Sequence, residues 1–557
     1  MNSRQRFSRL LLFTSILFGL VIRLAAPVSA DGPVNDGGLF LQMTRDLQEN
    51  RYVLPLQTIY NHGDIPFAYP PLGFYLAGFL QSLTQISLLQ IFAYLPAVLS
   101  TLAIPAFYFL SLQITKDRLY ASVAALFYAM VPKSFDWAIM GGGITRAPAL
   151  IFSFLTLAFV YRLFTDKDSR SILPVSVFAS LLALTHPEIA FQTSVSLFLL
   201  ALFYLRGRKS LFHTTTVAAL ALAFASPWWI TVISRHGLAP FQTALGAHPR
   251  DFIHSLLYLL QFNLTGEAIL DIVAVLGLIG LVSDLHRRDF FLPAWIGLSF
   301  ISDPRAAPFA SLTPLILLAV KGLNSTLEGL NNRAHGTELF STNFARRVLL
   351  GAVAYLFLSG MIFSLQMGNS LRLLPEERQA LDWIAQNTPE ESRILILTGD
   401  AALSDPLSEW FPSLTGRTSL VTVQGHEWTP GLTLVTSIKA YHEAQSCLDK
   451  DPGCLSKWEF DYVYFRKIRP QGEGGITGQI SLLEGFLRAS DDYTIVYDSD
   501  VAVIFVRGNP ISRAIGPNSN IHIADWSPNR SASKPITSGN TFAIGVVTAP
   551  IAMMLAL

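Results

Sequence analysis

Apolar and polar positions in this chain come in blocks, long hydrophobic runs broken by brief polar corners, rather than alternating at short period. A helix needs about 17–25 residues to cross a bilayer. Runs of that order, several of them short, lie at 9–29, 86–112, 118–132, 147–164, 171–186, 188–205, 211–233, 266–283, 289–302, 306–322 and 347–368. The pattern predicts a mainly α, polytopic transmembrane bundle of roughly 11–12 spans. Arg4, Arg6 and Arg9 precede the first run. Lys116 with Arg118, Lys167 with Arg170, Arg206 to Lys209, His286 to Arg288, and Arg333 with Arg346 and Arg347 then occupy every second corner. Positive residues concentrate on the cytoplasmic side, so these corners are expected inside. Tyr69–Leu83 would reverse that parity if it crossed; at about 15 residues and opening on Pro70-Pro71, it is expected to lie in the outer interface. The odd number of crossings then puts the polar region after residue 370 outside.

That region changes character. PEERQALDWIAQN reads as an amphipathic helix with Leu381, Ile384 and Ala385 on one face, and a strand follows in RILIL. Further strand-like runs are Ser419–Val423, Tyr462–Phe465, Thr494–Tyr497 and Val501–Val506, which together fit a small α/β domain. The expected organisation is a membrane domain at 1–370 with an outer loop at 31–75, an extracytoplasmic α/β domain at 371–508, a Pro/Ser/Asn-rich linker at 509–540 and an apolar tail at 541–557. The tail reads equally as a last span or an interface anchor. Residues 323–345 read as a polar internal loop. The N-terminus resembles a signal peptide, but the many spans that follow favour an uncleaved first helix, interrupted near its outer end by Arg23.

Composition agrees with this class: 557 residues, 51% hydrophobic and only 14% charged, with mean hydropathy +0.42. The net charge of +1 favours neither nucleic acid nor an acidic partner. The two cysteines, Cys447 and Cys454, lie in one polar segment and form a small-loop disulfide or stay reduced according to compartment.

Candidate chemistry gathers on the outer face. Asp36 stands in DGPVNDGGLF, before a helix-like run from Leu39 to Asn50; a carboxylate there can act as general base or hold a metal ion, or simply cap the helix. His62 and Tyr69 lie further along the same loop and are candidate substrate contacts. Asp136, in KSFDWAIMGGGITR, is the natural second carboxylate, able to share a divalent cation with Asp36 or to divide acid and base roles with it. On the opposite reading that loop is ordinary and Arg146 only a snorkelling anchor at a span end. His186 and Glu188 flank Pro187 at a tight corner, where they orient substrate or mark a capped helix break. Arg305, at the outer end of a span, suits a lipid phosphate, or pairs locally with Asp303. Trp410 and Trp428, in the clusters around Glu409 and His426, are expected mostly to pack the core of the outer domain, the other reading being an acceptor-binding surface.

Asn35-Asp36-Gly37-Gly38-Leu39-Phe40, followed by Tyr69-Pro70-Pro71-Leu72-Gly73-Phe74-Tyr75, resembles the GT-C class of membrane glycosyltransferases. That class includes protein O-mannosyltransferases, lipid A aminoarabinose transferases and oligosaccharyltransferase catalytic subunits. ALDWIAQNTPEESRIL and EWFPSLTGR resemble the extracytoplasmic parts of prokaryotic members. The resemblance implies a plasma-membrane enzyme of the cell envelope that moves a sugar, as a hexosyltransferase would, from a polyprenyl-phosphate carrier to a lipid, glycan or protein acceptor, with inversion. It places Asp36 as the first-loop acidic catalytic residue, Asp136 as a second acid and Arg305 at the carrier phosphate. A divalent cation, Mg or Mn, is the one cofactor in view, and no nucleic acid is expected. The outer domain lacks a Trp-Trp-Asp motif, which argues against sequon glycosylation. Two other classes compete. A transporter of lipid-linked sugars should place ionisable groups at mid-span and show repeats; a non-catalytic protein would use its outer domain to bind a glycan or protein.

Overall fold

The computed structural model describes residues 3–246, 252–262, 264–267, 270–303, 306–333, 343–429, 434–467 and 481–508. The first crossing helix, α1 (Ser3–Ala30), leads into a polar excursion. This holds α2 (Gly38–Glu49), the short antiparallel pair β1 (Gln57–Thr58) and β2 (Ile65–Pro66), and α3 (Leu72–Thr84). Six helices follow: α4 (Leu88–Thr115), α5 (Arg118–Met130), α6 (Gly143–Thr165), α7 (Ile172–Ala183), α8 (Pro187–Tyr204) and α9 (Arg208–His236). Two short ones, α10 (Ala239–Gly246) and α11 (Phe252–Gln261), precede α12 (Ile272–His286), α13 (Phe291–Ser302), a single turn α14 (Ala307–Ala310), α15 (Leu312–Arg333) and α16 (Asn343–Ser370). Ten of the eleven apolar runs each overlap one of these helices, and the run at 306–322 is divided between α14 and α15. Six helical stretches among the described residues are long and apolar enough to cross a membrane, α1, α4, α6, α8 and α9 among them; α5, α7, α12 and α13 are apolar but shorter.

Polar side chains set where the helices begin. Ser87 accepts from the N–H of Gln90 to start α4, and Asp117 accepts from Leu119 and Tyr120 to start α5, as capping of orphan donors requires. Asp117 also binds Arg4 at 2.7 Å, and Lys116 binds Asp166 at 3.3 Å. The first three basic corners therefore share one end of the bundle. The excursion and the 131–142 loop occupy the other. α3 packs across α2, α4 and α6 there, a short helix laid against the bundle.

Arg23 is fully buried within the bundle. It donates to Ser100 Oγ (2.9 Å), Ala129 O (2.7 Å), Gly19 O (3.2 Å) and Ser134 Oγ (3.0 Å), with its guanidinium 5.1 Å from the Phe135 ring centre. A charge this deep stays only where its donors are met. Those bonds join α1, α4 and α5 to the start of the loop that carries Asp136.

The α/β part begins with α17 (Pro375–Asn387), whose Leu381, Ile384 and Ala385 are buried as their spacing predicts. Then come β3 (Arg393–Leu397), α18 (Pro406–Thr415), β4 (Thr418–Ser419), α19 (Leu434–Gln445), β5 (Tyr462–Arg466), α20 (Leu482–Arg488), β6 (Tyr493–Asp498) and β7 (Ala502–Arg507). Sheet order is β4-β3-β5-β7-β6, parallel among β4, β3 and β5 and antiparallel across β5, β7 and β6. Ile394 to Leu397 are wholly buried, the continuous apolar run of a strand covered on both faces. One core unites this domain with Leu41, Ala77, Leu88, Phe92 and Ile144, so the sheet domain and this end of the bundle share a hydrophobic interior.

Two expectations change. The strand expected at Ser419–Val423 stops after Ser419, because the Ser419 hydroxyl accepts from the N–H groups of Val421 and Thr422 and turns the chain. Of the polar loop expected at 323–345, residues 323–333 continue α15 and 343–345 open α16, and residues 334–342 lie outside the described residues. Residues 509–540 and the tail at 541–557 lie outside the described residues.

Candidate functional site

Asp36 lies on a segment pinned from both sides. Val34 O accepts from Gly141 N–H at 2.9 Å, and Asn35 N–H donates to Leu371 O at 2.8 Å. Asp36 does not cap α2, the simplest role its position allowed. The capping position belongs to Gly37 (φ 126°), and the Asp36 carboxylate turns instead to the second loop. Oδ1 accepts from Gly142 N–H at 2.9 Å and Oδ2 from Arg146 Nη2 at 2.7 Å. The glycines expected to allow close backbone approach do so: a Cβ on Gly141 would stand 1.9 Å from Asp36 O, and one on Gly142 2.7 Å from Oδ2.

Arg146 is therefore more than an anchor at a span end. Its guanidinium binds Asp36, donates to Trp137 O at 3.3 Å and lies 5.1 Å from the Trp137 ring centre. Asp136 takes a different cation, Lys133 Nζ at 3.1 Å, and accepts from the Trp137 N–H at 2.7 Å. Burial raises the Asp136 pKa above the ordinary carboxylate value, opposed by the Lys133 charge, the Trp137 N–H and the Arg146 charge. Each of the two carboxylates expected to share a Mg or Mn ion thus carries a cationic side chain of its own. Among the described residues no three His, Cys, Asp or Glu side chains gather at metal-binding distance. Hard divalent cations take several oxygen ligands. This donor set does not fit one.

Tyr69 is buried on the same face, its ring 4.7 Å from Phe40, 5.4 Å from Trp428 and 6.2 Å from His186. Its hydroxyl approaches Thr145 Oγ1 at 3.4 Å. Burial raises its pKa; the Arg146 charge opposes this, while Glu188 and Glu427 add to it, so these charges surround one region. His186 caps α8, its Nδ1 accepting from Ile189 N–H at 3.4 Å, and Glu188 occupies the first turn. The structure thus brings Asp36, Arg146, Tyr69, His186 and Glu188 to one region. His62 is placed elsewhere: it is exposed and meets Thr418 Oγ1 at 3.0 Å, where loop and sheet domain adjoin. Arg305 lies outside the described residues.

The sheet domain forms part of the site's wall. Glu409 Oε1 accepts from the N–H groups of Gly37 and Leu39, both at 3.2 Å. Trp410, expected to serve the core of its own domain, also donates its indole N–H to Asn35 O at 2.8 Å; Trp428 packs on Tyr69 rather than on the sheet. Tyr60 OH donates to Glu409 O at 2.7 Å, and Asn61 exchanges hydrogen bonds with the Ser419 backbone. Desolvation first, and the charge of Asp36 second, push the Glu409 carboxyl up to about 8. From sequence, Arg146 reads as a span-end anchor and Glu409 as part of a cluster for an acceptor surface or a domain core; nothing there ties either to Asp36. The signal available was Gly37-Gly38 opening a helix with no capping side chain, which requires a partner from elsewhere. Cys447 and Cys454 are joined by a disulfide in the sheet domain, away from these residues.

A family described as a 6-pyruvoyl-tetrahydropterin synthase related domain, a membrane protein, has a sequence model that matches residues 68–320. Among curated proteins none matches the chain by sequence. Among solved structures, ArnT from Cupriavidus metallidurans in the apo state superposes with a TM-score of 0.54 at 14% identity, over 88% of this chain and 97% of that one. The same enzyme bound to undecaprenyl phosphate gives 0.52 at 14% identity, over 90% and 99%. The arabinofuranosyltransferase AftD from Mycobacteria gives 0.51 at 16% identity over 91% of this chain, which spans only 40% of AftD. At such identities the likeness is one of fold. The chain is a membrane protein with the GT-C-like fold of the membrane glycosyltransferases, and Asp36, Arg146 and Glu409 stand where its bundle and its sheet domain meet.

Proposed function

We propose that this protein transfers a sugar from a polyprenyl-phosphate carrier to a hydroxyl of an extracytoplasmic lipid, glycan or protein, with Asp36 as the general base. The observation that carries the reading is the placement of Asp36. Its carboxylate is held at 2.7–2.9 Å by Arg146 and Gly142 at the junction of two outer loops, in the fold of enzymes that include one solved with undecaprenyl phosphate. Asp36 takes the proton of the acceptor hydroxyl, the freed oxygen attacks the anomeric carbon, and the bond from that carbon to the phosphate oxygen breaks. The carrier leaves as polyprenyl phosphate, and direct displacement inverts the anomeric centre.

Arg146 has five N–H donors, and Asp36 and the Trp137 carbonyl engage its two terminal nitrogens. It is the cation at the base, suited to meet the charge that grows on the departing phosphate. Apolar cavities of about 380 and 160 Å³ flank α3, lined by Leu72, Tyr75, Leu76 and Phe79 on one side and by Pro71, Phe224 and Trp228 on the other; they offer a carrier chain a surface beside the site. The basic corners at the opposite end support a plasma-membrane orientation with the sheet domain outside.

The test is transfer of radiolabelled sugar from a panel of polyprenyl-phosphate donors by purified protein. Loss of transfer in Asp36→Asn, with donor binding retained, is the expected result, and Asp136→Asn reports on the second acid. Full transfer by Asp36→Asn overturns the assignment of the base, and no transfer from any donor by the wild type moves the weight to a glycan-binding role.

A further inference from the structure

We infer that Glu409, a residue of the sheet domain, is a positioning residue for Asp36: it clamps the N-terminus of α2 and so fixes the peptide that carries the base. The inference rests on the reading of Asp36 given above.

A helix leaves its first N–H groups without partners, and an Asp, Ser or Thr at its start normally accepts from one of them. α2 opens on Gly37 and Gly38, which offer no side chain, while Asp36 is turned toward Arg146. Glu409 Oε1 substitutes from 372 residues away in sequence, accepting from both Gly37 and Leu39. The fit leaves no room. A Cβ on Gly38 would stand 2.3 Å from the Glu409 carbonyl oxygen, and one on Gly37 would stand 2.9 Å from the Gly141 backbone. α18 is tied down on both sides of this contact, by the Trp410 indole on Asn35 O and by the Ser413 hydroxyl on Gly38 O. At its start, Asp405 caps α18 and accepts from Thr398 and Tyr441. Leu403 O, two residues earlier, faces Asn35 Nδ2 at 3.4 Å.

The Gly37 N–H belongs to the peptide plane that begins at the Asp36 carbonyl, so holding that N–H fixes the residue bearing the base. On its other side Asp36 rests on Gly141 and Gly142. Removing the Glu409 carboxylate frees the Gly37 N–H while leaving Arg146 and the donor-facing groups in place. A displacement of about 1 Å at a reacting group costs about 100-fold in rate.

The experiment compares wild type with Glu409→Ala, Glu409→Gln and Gly38→Ala, all in the full chain. It measures hydrogen exchange of the peptide covering 34–41 and steady-state transfer with a polyprenyl-phosphate sugar. Expected for Glu409→Ala are faster exchange in 34–41 and a kcat about 10- to 100-fold lower, with the donor KM unchanged to within about twofold. Glu409→Gln keeps an oxygen that accepts both N–H groups and is expected to restore protection and most of kcat. Gly38→Ala disturbs the contact from the other side and should reproduce the Ala phenotype. Unchanged exchange in Glu409→Ala overturns the clamp whatever the activity. Faster exchange with unchanged kcat overturns the positioning role. If wild type transfers no sugar, the glycosyltransferase reading fails, and exchange in 34–41 alone decides whether Glu409 holds the loop.

Discussion

At the scale of single residues, the bond between Asp36 and Arg146 has the most direct consequences. The pair is about one-fifth exposed on each side, so it is neither screened like a surface bridge nor sealed from substrate. Arg146→Lys keeps a charge but loses the planar fork that reaches Asp36 and the Trp137 carbonyl together. We expect transfer to fall by at least about tenfold with helix content unchanged, checked by the labelled-sugar assay beside circular dichroism. Asp36 was legible from its glycine-flanked loop before a helix. Its partner was not, because arginines at the outer ends of spans are common and their anchoring role is the ordinary one. Only the placement of residue 146 against residue 36 separates the two roles.

At the scale of elements, two loops and one helix build the site, and each can be disturbed alone. The 131–142 loop meets Asp36 through bare backbone, so Gly141→Ala puts a methyl group where Asp36 O now sits. That variant is expected to insert and fold, since the bundle is held elsewhere, and to lose most transfer; retention of full activity would show that the loop contact is dispensable. Cys447 and Cys454, seven residues apart, close a small loop outside the site. Cys447→Ser with Cys454→Ser should lower the stability of the sheet domain by about 2–3 kcal/mol, read by denaturant melts of its tryptophan signal, and leave the bundle unchanged. The helices were readable because membrane spans announce themselves by length and polarity, and β3 and β5 because Ile394–Leu397 and Tyr462–Phe465 are continuous hydrophobic runs. Ser419–Val423 was misread because one hydroxyl outcompetes the ladder, a contest between two hydrogen bonds that hydrophobic pattern does not register.

At the scale of the whole molecule, bundle and sheet domain share a core, and Glu409, buried, and Asp400, half-buried, lie near the seam between them. Glu409 is raised from 4.5 to about 8, and Asp400, on a loop that also touches this seam, from 3.8 to about 6. Between the unfolded and folded values the folded state binds a proton that the unfolded state releases. The stability tied to Glu409 is therefore complete below about pH 4.5 and is lost as the pH rises through about 8. Thermal unfolding from pH 5 to 8.5 should show wild type losing stability relative to Glu409→Gln, whose amide does not titrate there. Parallel curves would remove Glu409 from the linkage. That two layers would form was legible from the change in composition after residue 370. That they would share a core and a site was not, since no local pattern shows which distant helix lies on which loop.

The clamp also orders events in time. Asp36 leaves the ribosome just behind the first crossing helix, yet the carboxylate that holds its peptide follows 372 residues after Gly37. Throughout synthesis the bundle can insert and pack around Arg23, and Asp36 can meet Gly142 and Arg146, while the Gly37 N–H still lacks the partner that α18 brings. A nascent chain halted before α18 should therefore be a well-inserted membrane protein whose α2 begins unclamped, and the last bonds around the Asp36 peptide should form late, when α18 packs on α2.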